Sequence, residues 1–306
     1  MRGGLDDVQA YGQKAERVAA LIYAHFKGAF LSSFAPHMAS PVLPIPRKVE
    51  NRPPLKWAGG KRWLIPHLLP MWQPHRHRRL VEPFVGGSAV SLGLQPKRAL
   101  LNDANSHLIN FYRQLQRGLK IDLPLRNSRA VFDEYRCRFN QLIMDNQTDT
   151  TEAASLFYYL NRTGFNGLCR FNHDGLFNVP FGSYATINYA TDFIRYQDTL
   201  AAWEFQHGDF EELEIDPEDF IYADPPYDVQ FTQYSKDTFT WNDQVRLAEW
   251  LSVHPGPVVL SNQATDRIVR LYRKLGFKLR FLDAPRRISC NGDRTPAREV
   301  IATKNL

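Results

Sequence analysis

The run Phe220-Ile221-Tyr222-Ala223-Asp224-Pro225-Pro226-Tyr227 constrains this chain more than any other stretch. Four strand-forming residues stop at a carboxylate. Two prolines then fix φ and remove two backbone N–H donors, so neither a ladder nor a helix continues easily past Asp224. The expectation is a rigid turn at a strand end, offering the Asp224 carboxylate and the Pro225 carbonyl as acceptors beside the ring of Tyr227. Such a corner suits one chemical problem well. The exocyclic amine of a nucleobase is a poor nucleophile because its lone pair is delocalised into the ring. Two acceptors on its N–H groups favour a more tetrahedral nitrogen and supply orientation before the reaction. Taken alone, the tetrapeptide equally describes a turn that closes a strand, with Asp224 as a solvated cap.

Its neighbours narrow the choice. Pro54-Leu55-Lys56-Trp57-Ala58-Gly59-Gly60-Lys61 sets two glycines between an aromatic and a lysine, where a ligand can come close to the backbone. Leu80-Val81-Glu82-Pro83-Phe84-Val85-Gly86-Gly87-Ser88 is a short apolar strand running into a glycine turn, and residues 89–92 read as the helix after it. In open α/β sheets, nucleotide-like ligands sit at this strand–turn–helix junction. A second strand ends at Asp103, placed to accept from ribose hydroxyls, to cap the helix expected over 104–115, or to do both. Further strands are expected at 258–262, 278–283 and 299–303, with a helix over 243–251.

Between about 111 and 200 the composition turns to Arg, Asn, Tyr and Phe, with helical spacing over 130–143 and 152–160. At the centre lies Tyr159-Leu160-Asn161-Arg162-Thr163-Gly164-Phe165-Asn166-Gly167-Leu168-Cys169-Arg170-Phe171-Asn172, continuing through Pro180 to Tyr184. Arginine, amide and aromatic side chains interleaved with glycine are what a base-reading loop requires. A plain Asn-Gly hairpin is the simpler alternative.

From about Pro54 to Lys304, these motifs and their order resemble the Dam-type DNA adenine N6-methyltransferases, within the amino-methyltransferases that carry Asp/Asn-Pro-Pro-Tyr/Phe. The resemblance implies a Rossmann-like α/β fold with a mixed sheet and an inserted helical target-recognition domain. It implies S-adenosylmethionine as cofactor, bound by Trp57, Lys61, Phe84, Gly86, Asp103 and Asp224, and catalysis by Asp224, Pro225 and Tyr227 on a flipped adenine in duplex GATC. For DNA it implies Lys56 near the first guanine and Phe165 inserted into the duplex, with Asn166 filling space beside it. Leu168, Arg170 and Pro180 would contact the later base pairs, Arg170 on the guanine paired to the last cytosine. Arg162 and Asn172 would brace the loop or touch the backbone. The chain departs from the family at Gly86-Gly87-Ser88, where Ser88 takes the place of a second glycine, and at Ser183, where a basic residue is usual. A cofactor-bound regulator without chemistry, and a methyltransferase acting on RNA or a protein amide, remain open.

The expected division is a helical extension and Pro-rich linker over 1–52, a catalytic domain over 53–112 and 201–306, and the target-recognition domain over 113–200. The extension has helical spacing over residues 6–26. A formal charge of +6 suits a polyanionic partner without proving one. The arginines in residues 286–298 are expected to grip phosphates. Three scattered cysteines without C-x-x-C or His pairing argue against a disulfide framework or a metal site. No apolar run reaches the ~20 residues needed to span a bilayer. A monomer, cytoplasmic and associated with the nucleoid, is the expectation.

Overall fold

The computed structural model describes residues 52–228, 239–284 and 297–306. The helix expected over 6–26, the linker after it, and most of the arginine segment 286–298 lie outside the described residues. Residues 49–306 form one compact unit.

Among the described residues seven strands build a single sheet: β1 (Leu80–Glu82), β2 (Ala99–Asp103), β3 (Trp203–His207), β4 (Phe220–Ala223), β5 (Val258–Gln263), β6 (Lys278–Ala284) and β7 (Ala297–Lys304). Their order is β3-β2-β1-β4-β5-β7-β6. β1 to β5 run parallel, and β7 lies antiparallel between β5 and β6. Parallel strands covered on both faces read as continuous apolar runs, and alternate residues feed opposite faces. Accordingly Leu80, Phe220, Tyr222 and Val259 enter one core, while Val81, Ile221, Ala223, Val258 and Leu260 enter the other. The order reverses between β1 and β4. Their carboxyl ends therefore flank the crevice in which a doubly wound sheet binds its ligand.

The helices are α1 (Ile65–Trp72), α2 (Ala89–Leu94), α3 (Ser106–Gln116), α4 (Arg129–Met144), α5 (Thr151–Thr163), α6 (Gln197–Leu200), α7 (Trp241–Ser252) and α8 (Asp266–Lys274). α4 and α5 match the two helical spacings read in the central segment. The boundary expected after residue 112 falls inside α3, a continuous helix. Phe111 and Tyr112 of α3, Phe132 and Phe139 of α4, and Phe157 and Tyr158 of α5 belong to the same core as β1 and β4. The central segment thus grows from one face of the sheet. Among the described residues, no helix is long and apolar enough to cross a membrane.

Candidate active site

A cleft of about 570 Å³ opens at the reversal point. Trp57, Gly59, Lys61, Glu82, Phe84, Gly86, Asp103, Asp209, Asp224, Pro225 and Tyr227 line it, so three separated motifs meet in one place. Its volume is in the range of small-molecule sites.

The glycine turn after β1 explains its own composition. Gly86 has φ +44, and a Cβ there would stand 2.8 Å from Trp57 Nε1; one on Gly87 would stand 2.8 Å from Trp57 Cβ. The indole lies directly on the turn, and no side chain larger than hydrogen fits beneath it. The turn is pinned from β2: Gly86 N donates to Asp103 Oδ2 at 3.0 Å and Asn105 N donates to Asp103 Oδ1 at 3.0 Å. Asn105, not Asp103, caps α3, accepting from the amides of His107 and Leu108. Both Asp103 oxygens therefore hold backbone, and burial pushes its carboxyl above the usual range against those two bonds. Ser88 sits at φ 56, a left-handed conformation that suits glycine, with its Oγ 2.6 Å from Ser91 Oγ.

Glu82 ends β1 and is buried, with Oε1 lacking a hydrogen-bond partner among the described residues. Burial raises its carboxyl to about 8, against hydrogen bonding from Ser91, with nearby Asp224 adding to the rise. Across the cleft, Asp209 and Asp243 are held by Arg246 at 3.0 and 2.8 Å. Neither Glu82 nor Asp209 stands out in the sequence. Glu82 reads as the polar end of an apolar strand and Asp209 as one of several acids after β3; their only signal is the position at or just past a strand end.

At the end of β4, Asp224 faces Lys61, whose Nζ lies 3.0 Å from Oδ2, 3.0 Å from the Gly59 carbonyl and 4.6 Å from the centre of the Tyr227 ring. The lysine expected at the cofactor lines the cleft and also touches the acid and the aromatic of the Asp-Pro-Pro-Tyr corner. Ser261 Oγ donates to Asp224 Oδ1 at 2.7 Å. Gln244 Nε2 donates to the Pro226 carbonyl at 2.7 Å and is itself held by Asn262 Nδ2 at 2.9 Å. Beyond the corner, Asp228 is clasped by Arg267 and Thr265. Burial, then Asp224, push the Tyr227 phenol well above its ordinary pKa.

The other assigned residues gather after α5. Lys56 is clasped through its backbone by Asn161, at 2.9 Å and 2.8 Å. Its Nζ donates to the Arg162 carbonyl at 2.9 Å and lies 3.5 Å from the centre of the Tyr184 ring. Burial, then the Arg162 charge, lower Lys56 to about 8. Lys56 is thus built into the loop it was expected to accompany on DNA, while its neighbour Trp57 lies on the glycine turn. Phe165 is 46% exposed, and Asn166 beside it has φ 52. Arg170 is exposed and donates to Asn178 at 2.8 Å. Asn172 braces the turn by accepting from the amides of Asp174 and Leu176. Arg162 donates to the Asn188 carbonyl, Leu168 packs against the core, and the Pro180 carbonyl accepts from Phe165 N.

A sheet of this order, with an antiparallel last-but-one strand and an acid–proline corner at its reversal point, defines a Rossmann-like methyltransferase. Residues 57–286 match the D12 class N6 adenine-specific DNA methyltransferase family, and the chain belongs to it. A DNA adenine methylase of Vibrio cholerae is 36% identical over 267 residues, covering 79% of this chain and 92% of the relative. The DNA adenine methylase of Escherichia coli strain K12 is 34% identical, covering 79% and 91%. The type II methyltransferase M1.LlaDCHI of Lactococcus lactis is 32% identical over 283 residues, covering 84% and 96%.

Proposed function

We propose that this DNA adenine methyltransferase uses S-adenosylmethionine and acts on N6 of adenine in duplex GATC, on a base turned out of the helix. The observation that carries the reading is the convergence of Asp224, Tyr227 and the Trp57-covered glycine turn on one cleft. The residues present fit the cofactor. The turn lets a ligand approach the backbone, and Glu82 Oε1 is a buried acceptor without a partner among the described residues, as an ammonium group would need. When bound, S-adenosylmethionine supplies a methyl group on a positively charged sulfur.

The roles then follow from the chain's own atoms. Trp57, Phe84 and Gly86 enclose the donor, and Asp103 holds the turn that receives it. Asp224 and the Pro225 carbonyl accept from the two N–H groups of the target amine. A carboxylate oxygen can accept more than one bond, so the amine can join Lys61 on Asp224 Oδ2. Tyr227 offers its ring face to the flipped base. On the DNA side, exposed Phe165 enters the stack with Asn166 beside it. Lys56 leaves the Arg162 carbonyl to reach the first guanine, and Arg170 reads a later one through its fork of donors. Leu168 and Pro180 contact the same later pairs, while Arg162 and Asn172 hold the loop. In this reading residues 113–200 serve as the target-recognition region of a monomer.

Purified protein is to be incubated with methyl-labelled donor and duplexes that differ only at GATC, with fluorescent 2-aminopurine at the target adenine in a parallel set. Label on N6 in GATC duplexes, with increased fluorescence on binding, is expected. Equal labelling of duplexes without GATC would reject the sequence assignment, and label found only on RNA or protein would reject the substrate.

A further inference from the structure

β5 approaches the catalytic corner from outside the sequence motif. The β4–β5 ladder ends with Ala223 opposite Leu260, so the next residues, Asp224 and Ser261, face one another. We propose that Ser261 is a positioning residue for methyl transfer: its hydroxyl, supplied with a hydrogen bond by Tyr222, fixes the Asp224 carboxylate so that its acceptors meet the target amine. The inference rests on the functional reading above.

The proton count gives the network a direction. Ser261 Oγ is 2.7 Å from Asp224 Oδ1 and 2.9 Å from Tyr222 OH, and it carries one proton. An ionised carboxylate only accepts, so Ser261 must donate to Asp224 and accept from Tyr222. Both donors are buried, and burial keeps the Tyr222 phenol well above its ordinary pKa, hence protonated. The alternative acceptor for Ser261, the Ala223 carbonyl, is farther away at 3.4 Å. The remaining carboxylate oxygen meets Lys61 at 3.0 Å.

An aspartate carboxylate turns about a broad, soft terminal torsion. Held at Oδ1 by Ser261 and at Oδ2 by Lys61, it has one plane. Released at Oδ1, it rotates and its lone pairs no longer point where the amine must sit. Misplacement on the scale of 1 Å costs about a hundredfold in rate. Next along β5, Asn262 acts through Gln244 on the Pro226 carbonyl, so neighbouring residues of one strand steady the acid and the turn behind it.

The test compares wild type, Ser261→Ala, Tyr222→Phe and the double variant for donor affinity, duplex affinity and single-turnover methylation. Ser261→Ala should lower the transfer rate about 10- to 100-fold with both affinities retained. Tyr222→Phe, which leaves the serine–aspartate bond in place, should lower it by about tenfold or less. In the double variant the Tyr222 loss should vanish, because its effect runs through Ser261. Wild-type transfer by Ser261→Ala, fully multiplying losses in the double variant, or loss of affinity in step with thermal stability would each overturn the inference. An inactive wild type would reject the functional reading and this inference with it. An active wild type with an indifferent Ser261→Ala rejects this inference alone.

Discussion

The corner at Asp224 and the loop after α5 are built on opposite plans. At the corner, buried side chains hold Asp224 (Ser261 and Lys61) and the Pro226 carbonyl (Gln244), and half-buried Asp103 pins the glycine turn. In the loop some of the side chains assigned to DNA, Phe165, Arg170 and Pro180, are exposed, while the backbone beneath is braced by Asn161 and Asn172. Chemistry requires groups that do not reorganise during the reaction, and the end of a buried sheet supplies them. Reading a duplex requires side chains that can reach it, so rigidity is confined to the main chain. Lys56 and Trp57 join the two regions, one residue in the loop and the next on the glycine turn.

If this division is right, changes at the corner should cost rate and changes in the loop should cost discrimination. The largest effect is expected from Asp224→Ala. Transfer should fall by about a thousandfold or more, while duplex affinity holds; loss of DNA binding in a gel-shift titration would mean that the acid is structural. Arg170→Ala should leave the rate on GATC nearly intact and weaken discrimination at the outer guanine by about 1–3 kcal/mol, measured with single-base variants of the site. A slowed reaction with unchanged specificity would break the contrast.

Glu82 gives a smaller, pH-dependent effect. Its carboxyl is neutral below about 8 and ionised above. A donor bearing an ammonium group should therefore bind more tightly as pH rises through that value, and Glu82→Gln should flatten the dependence seen by calorimetry. Stability runs the other way. A carboxyl raised from 4.5 to about 8 by folding favours the folded state at low pH, and that contribution is lost progressively as pH climbs from 4.5 to about 8. Smallest is Ser88→Gly. Relief of the left-handed serine should raise stability by up to about 1 kcal/mol in thermal unfolding, offset in part by the freer unfolded chain and by loss of the contact to Ser91.

Much of the frame was legible along the chain because its signals are local. Two prolines end β4 at Asp224 whatever surrounds them, and the apolar runs of β1, β4 and β5 need covering on both faces. The glycines at 86 and 87 mark a close approach, though only the structure identifies Trp57 as what approaches. The helices α4 and α5 follow from their spacing alone. Less was legible at the ends of elements: Asn105 caps α3 in place of Asp103, and α3 runs through a boundary suggested by composition, because composition changes before the helix ends.

What the amino-acid order determined by itself was therefore where strands stop, where backbone must come close to something, and which family the motifs resemble. Only tertiary structure decided that Lys61 meets Asp224, that a serine 37 residues further on donates to the same carboxylate, and that Lys56 is fastened into the loop. The reason is physical. Backbone preferences act over a few neighbouring residues, whereas a hydrogen bond between strands depends on their register, and register is set by the packing of the whole sheet.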